Sequence, residues 1–181
     1  ECAHVREPPL PYAMPVLASL RLPLLVHAEL PAHVRSPQGD PRRYATWLDS
    51  RPPAAEHAAI DLLIRLADEF GVRVHVVHLA SADALSRLAT ARAGGLPITV
   101  ETCPHYLTFA AGDIRDGATP FKCAPPIRTA EHRDGLWQGL IDGVIDLVAT
   151  DHSPSPAGLK HLDSGDFVQA WGGIASLQIG L

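Results

Sequence analysis

No apolar run in this sequence approaches the ~20 residues that a membrane-spanning helix needs, and no signal peptide opens it. Cysteine is scarce: Cys2, Cys103 and Cys123 are an odd number at no framework spacing, which excludes a disulfide-stapled scaffold and points to a reducing cytosol. An excess of basic charge is missing too. With 15 Lys and Arg against 20 Asp and Glu, the formal charge is −5 and no long run carries one sign. That argues against nucleic acid or an acidic membrane surface as partner. What remains is a chain of 181 residues, 46% hydrophobic, with enough apolar content for a sizeable core. The expectation is a cytoplasmic α/β protein. Neither the opening ECAHVREPP, which lacks an initiator Met and reads as a loop, nor the closing IASLQIGL, which breaks off in helix-like sequence, looks like a natural terminus, so a fragment is expected.

The stretch from Val144 to Pro154 organises the rest. Ile145, Leu147 and Val148 fit a short strand buried on both faces, and the run stops at Thr150, Asp151, His152, Ser153 and Pro154. Two more runs end the same way, PLLVH at His27 and VRVHVVH at His78. Helices are expected over residues 10 to 21, over Ala54 to Phe70 with Ile60, Leu63, Ile64 and Ala67 on one stripe, around Leu85, Leu88 and Ala89, and from Thr129 to Ile141. Strands precede or follow them at Leu24 to His27, Val72 to His78, Pro97 to Cys103 and before Asp151. Residues 31 to 53 and 110 to 128 read as long irregular segments near a site, and the paired prolines of FKCAPPIR stiffen the second. Repeated helix-then-strand order predicts a parallel sheet, either half of an eight-stranded α/β barrel or a small doubly wound sheet; the fragmentary ends favour the half-barrel.

In α/β folds ligands bind at the carboxyl ends of the strands. His27, His78 and Asp151 there supply two imidazoles and a carboxylate, the inventory of a hydrolytic metal centre. Parity on the second strand places His78 with Val74 and Val76 and turns His75 the other way, so His75 is expected among packed helices. Ser81 is placed to cap the next helix, and His152 must point away from Asp151 as a structural group. Cys103 and His105 are spaced as a ligand pair, but Pro104 between them favours a buried thiol. Arg128 suits either an anionic substrate or a salt bridge. Gly172 and Gly173 permit close backbone approach to a ligand, or a plain turn.

With these residues placed, the sequence resembles the cyclic amidohydrolases, most closely the allantoinases, in LLVHAE, DSRPPAAE, VHVVHLAS, ETCPHYL, KCAPPIR, ATDHSPSP and AWGGIASLQ, taken in that order across the whole chain. The resemblance implies a (β/α)₈ barrel with two divalent metals, zinc or else cobalt or manganese, bridged by a carboxylated lysine and a hydroxide. Carried over by position, His27 and His78 end the fifth and sixth strands and bind one metal, and Asp151 ends the eighth, binds the other and shuttles the proton. Ala124 and Gly172 then fall in the substrate loops. The implied reaction is hydrolysis of allantoin to allantoate in purine (ureide) catabolism, by a homotetramer. A hydantoinase, dihydropyrimidinase, dihydroorotase or metal-free scaffold relative is the alternative. The family's His-x-His pair is absent, and neither Lys122 nor Lys160 follows a strand as the bridging lysine does. Residues 1–181 are thus expected to be one part of a barrel domain, strands five to eight, inactive alone, with two open strand edges that favour self-association.

Overall fold

The computed structural model describes residues 10–180; Cys2 and the loop-like opening residues lie outside them. Ten regular elements follow in chain order: α1 (Leu10–Leu20), β1 (Pro23–His27), α2 (Tyr44–Ser50), α3 (Pro53–Phe70), β2 (Arg73–Val77), α4 (Leu85–Ala93), β3 (Ile98–Thr102), α5 (Pro104–Thr108), α6 (Ala130–Ile141) and β4 (Leu147–Val148). The four strands are parallel and lie in the order β1-β2-β3-β4. Strand order that follows chain order is what a barrel wall requires; a doubly wound sheet would reverse direction partway. The chain is therefore a partial (β/α)₈ barrel.

Alternation along the strands separates a covered face from an open one. Val74, Val76, Ile98 and Val100 are buried and share one core with Ile60, Leu63, Leu66 and Ala67 of α3 and Leu88 of α4. Burial of each large aliphatic there contributes about 1.5–3 kcal/mol. Leu25, His75, Val77, Thr99 and Glu101 stand on the opposite face, where Leu25 is 62% exposed. That face would be the barrel interior.

Helix α3 forms where its apolar stripe predicts and stops at Gly71, which takes φ +63 while its N–H bonds to Ala67 O at 2.9 Å. Helix α1 keeps Pro15 inside its second turn; full burial of Met14 holds the segment down despite the missing donor. A short helix, α2, forms inside the segment expected to be irregular, and another, α5, forms where no element was expected. Tertiary bonds decide the first: Tyr44 Oη donates to Ile127 O at 3.0 Å and Trp47 Nε1 to Cys123 O at 2.9 Å. The closing segment, expected to be helix-like, is instead irregular among the described residues, with a single tight turn at Leu177–Ile179.

Three further expectations need correction. Leu147 and Val148 are 46% and 44% exposed, so β4 is not buried on both faces; it has a neighbour strand on one side only among the described residues. His75 is not packed among helices. It lies on the open face, within 2.8 Å of Thr99 Oγ1 and 3.0 Å of Glu101 Oε2, because the helices cover the Val74 and Val76 side. Ser81 does not cap a helix; its hydroxyl meets His57 Nε2 at 2.9 Å.

Candidate metal centre

His27 is the last residue of β1, and its parity places it on the open face with Leu25. His78 follows the end of β2, where simple alternation would send it to the covered side. It escapes that by taking φ +44, a left-handed conformation rare for a residue with a Cβ. The two rings thereby meet edge to face, with centroids 4.7 Å apart, and His27 Nδ1 stands 3.1 Å from His78 Nε2. Burial, and then the charge of His27, push the His78 imidazole down to about 4, so it is neutral at pH 7. Two nitrogen lone pairs at that distance repel, and a proton or a cation must lie between them.

The donor chemistry fits a divalent cation. Two imidazole nitrogens at about 2.05 Å from a tetrahedral ion are about 3.3 Å apart, close to the spacing seen. His78 Nδ1 is a buried nitrogen without a hydrogen-bond acceptor, on the ring edge away from His27. Asp151 is the third residue named by the sequence. It lies three residues past β4, exposed, and also takes a positive φ, +43. Partial desolvation, followed by the nearby Glu101 carboxylate, raises its carboxyl above the usual range, and His27 pulls the other way. Asp151 thus feels the charge of His27, but no group of three or more His, Cys, Asp or Glu is arranged to hold a cation among the described residues. The structure joins two of the three expected ligands.

Behind the pair stand residues to which the sequence pattern assigned no role. Glu29, 2% exposed at its side chain, accepts from His27 Nε2 at 2.7 Å and from Arg51 Nη1 at 2.5 Å. Burial alone would raise its carboxyl, but the His27 hydrogen bond and the Arg51 charge outweigh that and hold it low. The spacing of His27 and Glu29, two residues apart at a strand end, was the signal available in the sequence. Glu56, buried in α3, accepts from Ala80 N at 2.9 Å and Ser81 N at 3.1 Å, which fixes the loop leaving His78. Arg128 bonds Glu56 Oε2 through Nε at 2.8 Å and also through Nη2, and reaches Arg51 O at 3.1 Å. Arg128 is therefore a salt-bridged strut.

The remaining named residues sort by their surroundings. Cys103 is fully buried and its thiol is pushed up by desolvation, so it behaves as a small apolar side chain. His105 is also fully buried, with neither ring nitrogen hydrogen-bonded, and burial drives it down to about 3. His152 accepts from Ser176 N at 3.0 Å and Leu177 N at 3.2 Å, a structural role as expected. Ala124 sits half-buried in a wall pinned by Trp47 at Cys123 O and by Tyr106 Oη at Pro125 O, 2.7 Å. At Gly172 a Cβ would meet nothing within 4 Å; the need for glycine falls on Gly173, at φ +110, where a Cβ would strike the Ser153 carbonyl. Lys122 Nζ donates to Val168 O at 3.1 Å and Ala170 O at 2.5 Å. Lys160 Nζ donates to the carbonyls of Lys122, Trp171 and Gly173. Both lysines brace loops.

No protein-family model matches the chain. It is 54% identical to the allantoinase of Streptomyces avermitilis over 159 residues, which is 87% of this chain and 35% of that one. It is 49% identical to the allantoinase of Saccharomyces cerevisiae over 175 residues, covering 93% and 38%, and 46% identical to the mitochondrial allantoinase of Aquarana catesbeiana over 182 residues, covering 100% and 38%. The chain thus spans a little over a third of the length of these relatives. Among solved structures, L-hydantoinase from Arthrobacter aurescens superposes with a TM-score of 0.87 at 27% identity, over 98% of this chain and 41% of that one. D-hydantoinase from a Bacillus species gives 0.85 at 29%, over 96% and 40%. A sequential parallel sheet with imidazoles at its carboxyl edge, laid on hydantoinases this closely, places the chain among the barrel-fold cyclic amidohydrolases. Within that class, it belongs to the allantoinase family.

Proposed function

We propose that the whole protein opens the hydantoin ring of allantoin to give allantoate, a step of purine (ureide) catabolism, and that this chain is one part of its metal-dependent barrel domain. The observation that carries the reading is the approach of His27 Nδ1 to His78 Nε2 at 3.1 Å on the carboxyl edge of the sheet. His27 and His78 would hold one divalent cation, and Asp151 would reach a second from the end of β4. Such a cation supplies Lewis acidity toward the ring carbonyl and toward water.

The chain's own groups account for the rest. Asp151, with its carboxyl raised and its side chain exposed, takes the proton of the attacking water and returns it to the leaving ring nitrogen. Ala124 and Gly172 contribute backbone N–H and C=O groups to a flat ureide, and the wall at 123–127 keeps its shape through the bonds from Tyr44, Trp47 and Tyr106. Lys122 and Lys160 are committed to carbonyls, so neither would hold a cation. Zinc, a homotetramer and a cytoplasmic location complete the reading. No helix among the described residues is long and apolar enough to cross a membrane.

The test is ring opening by the full-length protein with zinc, cobalt or manganese, on allantoin beside hydantoin, dihydrouracil and dihydroorotate. Turnover of allantoin alone supports the reading. Preference for hydantoin, which the structural similarity to hydantoinases favours as a second reading, overturns the substrate. In the same protein D151A should lose turnover while His27 and His78 still take up metal; appreciable residual rate removes Asp151 from the proton path.

A further inference from the structure

A carboxylate as buried as Glu29 has to be held by donors, because an unpaired charge out of water is strongly unfavourable. Two donors meet it on one oxygen, Oε2: His27 Nε2 at 2.7 Å and Arg51 Nη1 at 2.5 Å. Arg51 is itself held in place, with its guanidinium 4.8 Å over the Trp47 ring, and Trp47 is tied to Cys123 O. The backbone cooperates, since Glu29 N bonds back to His27 O at 3.2 Å and the tight turn folds the carboxylate under the ring it contacts.

An ionised carboxylate only accepts hydrogen bonds, so the proton between the two side chains sits on His27 Nε2. In a neutral imidazole that leaves Nδ1 as the lone-pair atom, and Nδ1 is the atom 3.1 Å from His78 Nε2. We infer that Glu29 is a positioning residue: it fixes His27 as the Nε2–H tautomer and presents the Nδ1 lone pair toward His78, to the cation they would share. The tautomer half stands on these contacts alone, whereas the cation half rests on the proposed metal centre. Histidines that bind metals take their orientation from such a carboxylate behind the ring, and losing it costs about 10–100-fold in affinity. The loop-bracing Arg128 extends the arrangement, since it holds both Arg51 O and Glu56.

The experiment records long-range proton–nitrogen spectra of the metal-free full-length protein labelled with ¹⁵N histidine, followed by zinc titration against a chromophoric competitor. Wild type should show His27 protonated at Nε2 only; protonation at Nδ1 overturns the inference without any variant. Glu29→Ala should mix the two tautomers and weaken zinc about 10–100-fold. Glu29→Gln keeps an oxygen acceptor and should recover both the tautomer and most of the affinity, which a role confined to the Arg51 ion pair would not allow. A His27 that stays purely Nε2–H in Glu29→Ala, or a Glu29→Gln as impaired as Glu29→Ala, overturns it. If wild type and His27→Ala bind zinc alike, the metal centre falls, and the spectra still decide what Glu29 does.

Discussion

His78 and His27 face each other at 3.1 Å although strict alternation along β2 would leave them on opposite sides of the sheet. The left-handed turn at His78 accomplishes this, and the buried carboxylate of Glu56 holds the residues that follow, Ala80 and Ser81. Removing either member of a buried ion pair strands the other, at about 3–5 kcal/mol. Arg128→Met should therefore lower stability by roughly that amount, and adding Glu56→Leu should not restore it, because Ala80 N and Ser81 N then lose their acceptor. Denaturant melts of the two variants check this; an unaffected Arg128→Met would show that the pair carries no strain of the fold.

Glycine is required at position 173 and merely tolerated at 172. Gly173→Ala combines φ +110 with a clash against the Ser153 carbonyl and should cost several kcal/mol, about 2–4 by comparison with other strained substitutions. Gly172→Ala should stay within about 0.5 kcal/mol. Thermal melts of the two variants, run together, give the contrast.

Acid should destabilise the chain through His105. Its folded pKa is about 3, below the ordinary 6.5, so the unfolded chain binds the proton more readily across that interval. Stability is complete above about 6.5 and is lost as pH falls toward 3, with about 2 kcal/mol gone by pH 5. His78, pushed down to about 4, adds in the same sense. Urea midpoints between pH 7.5 and 4.5 read the slope, and His105→Leu should flatten it.

Lys160→Met should loosen residues 156–173 selectively. Three carbonyls, those of Lys122, Trp171 and Gly173, lose their donor at once, and each unsatisfied buried group costs about 1–3 kcal/mol. Amide exchange in that segment should quicken while α3 and β2 keep their protection. Equal acceleration everywhere would show that the segment is not a separate unit.

The sheet, α3, α4 and α6 were legible because each rests on local period: alternation in VRVHVVH, a stripe at Ile60, Leu63, Ile64 and Ala67, stops at Gly71 and Gly94. The helices α2 and α5 were not, because hydrogen bonds from distant loops, which no period records, hold Tyr44, Trp47 and Tyr106. At the site, the three residues at strand ends could be named from the sequence. Their meeting depends on backbone conformation at His78 and Asp151 that residue type disfavours, so periodicity misjudged His75 and said nothing of Glu29. Long-range pairing of charge, as between Glu56 and Arg128, is invisible to any window of chain.

Strand order that follows chain order has a kinetic side. Each strand pairs with the strand just before or after it in sequence, so every new segment of wall is closed by one helix-bearing connection and no strand waits for a distant one. Loop-closure entropy is then met in instalments, one connection at a time. Such a wall can extend one strand at a time, in the direction in which a ribosome delivers it.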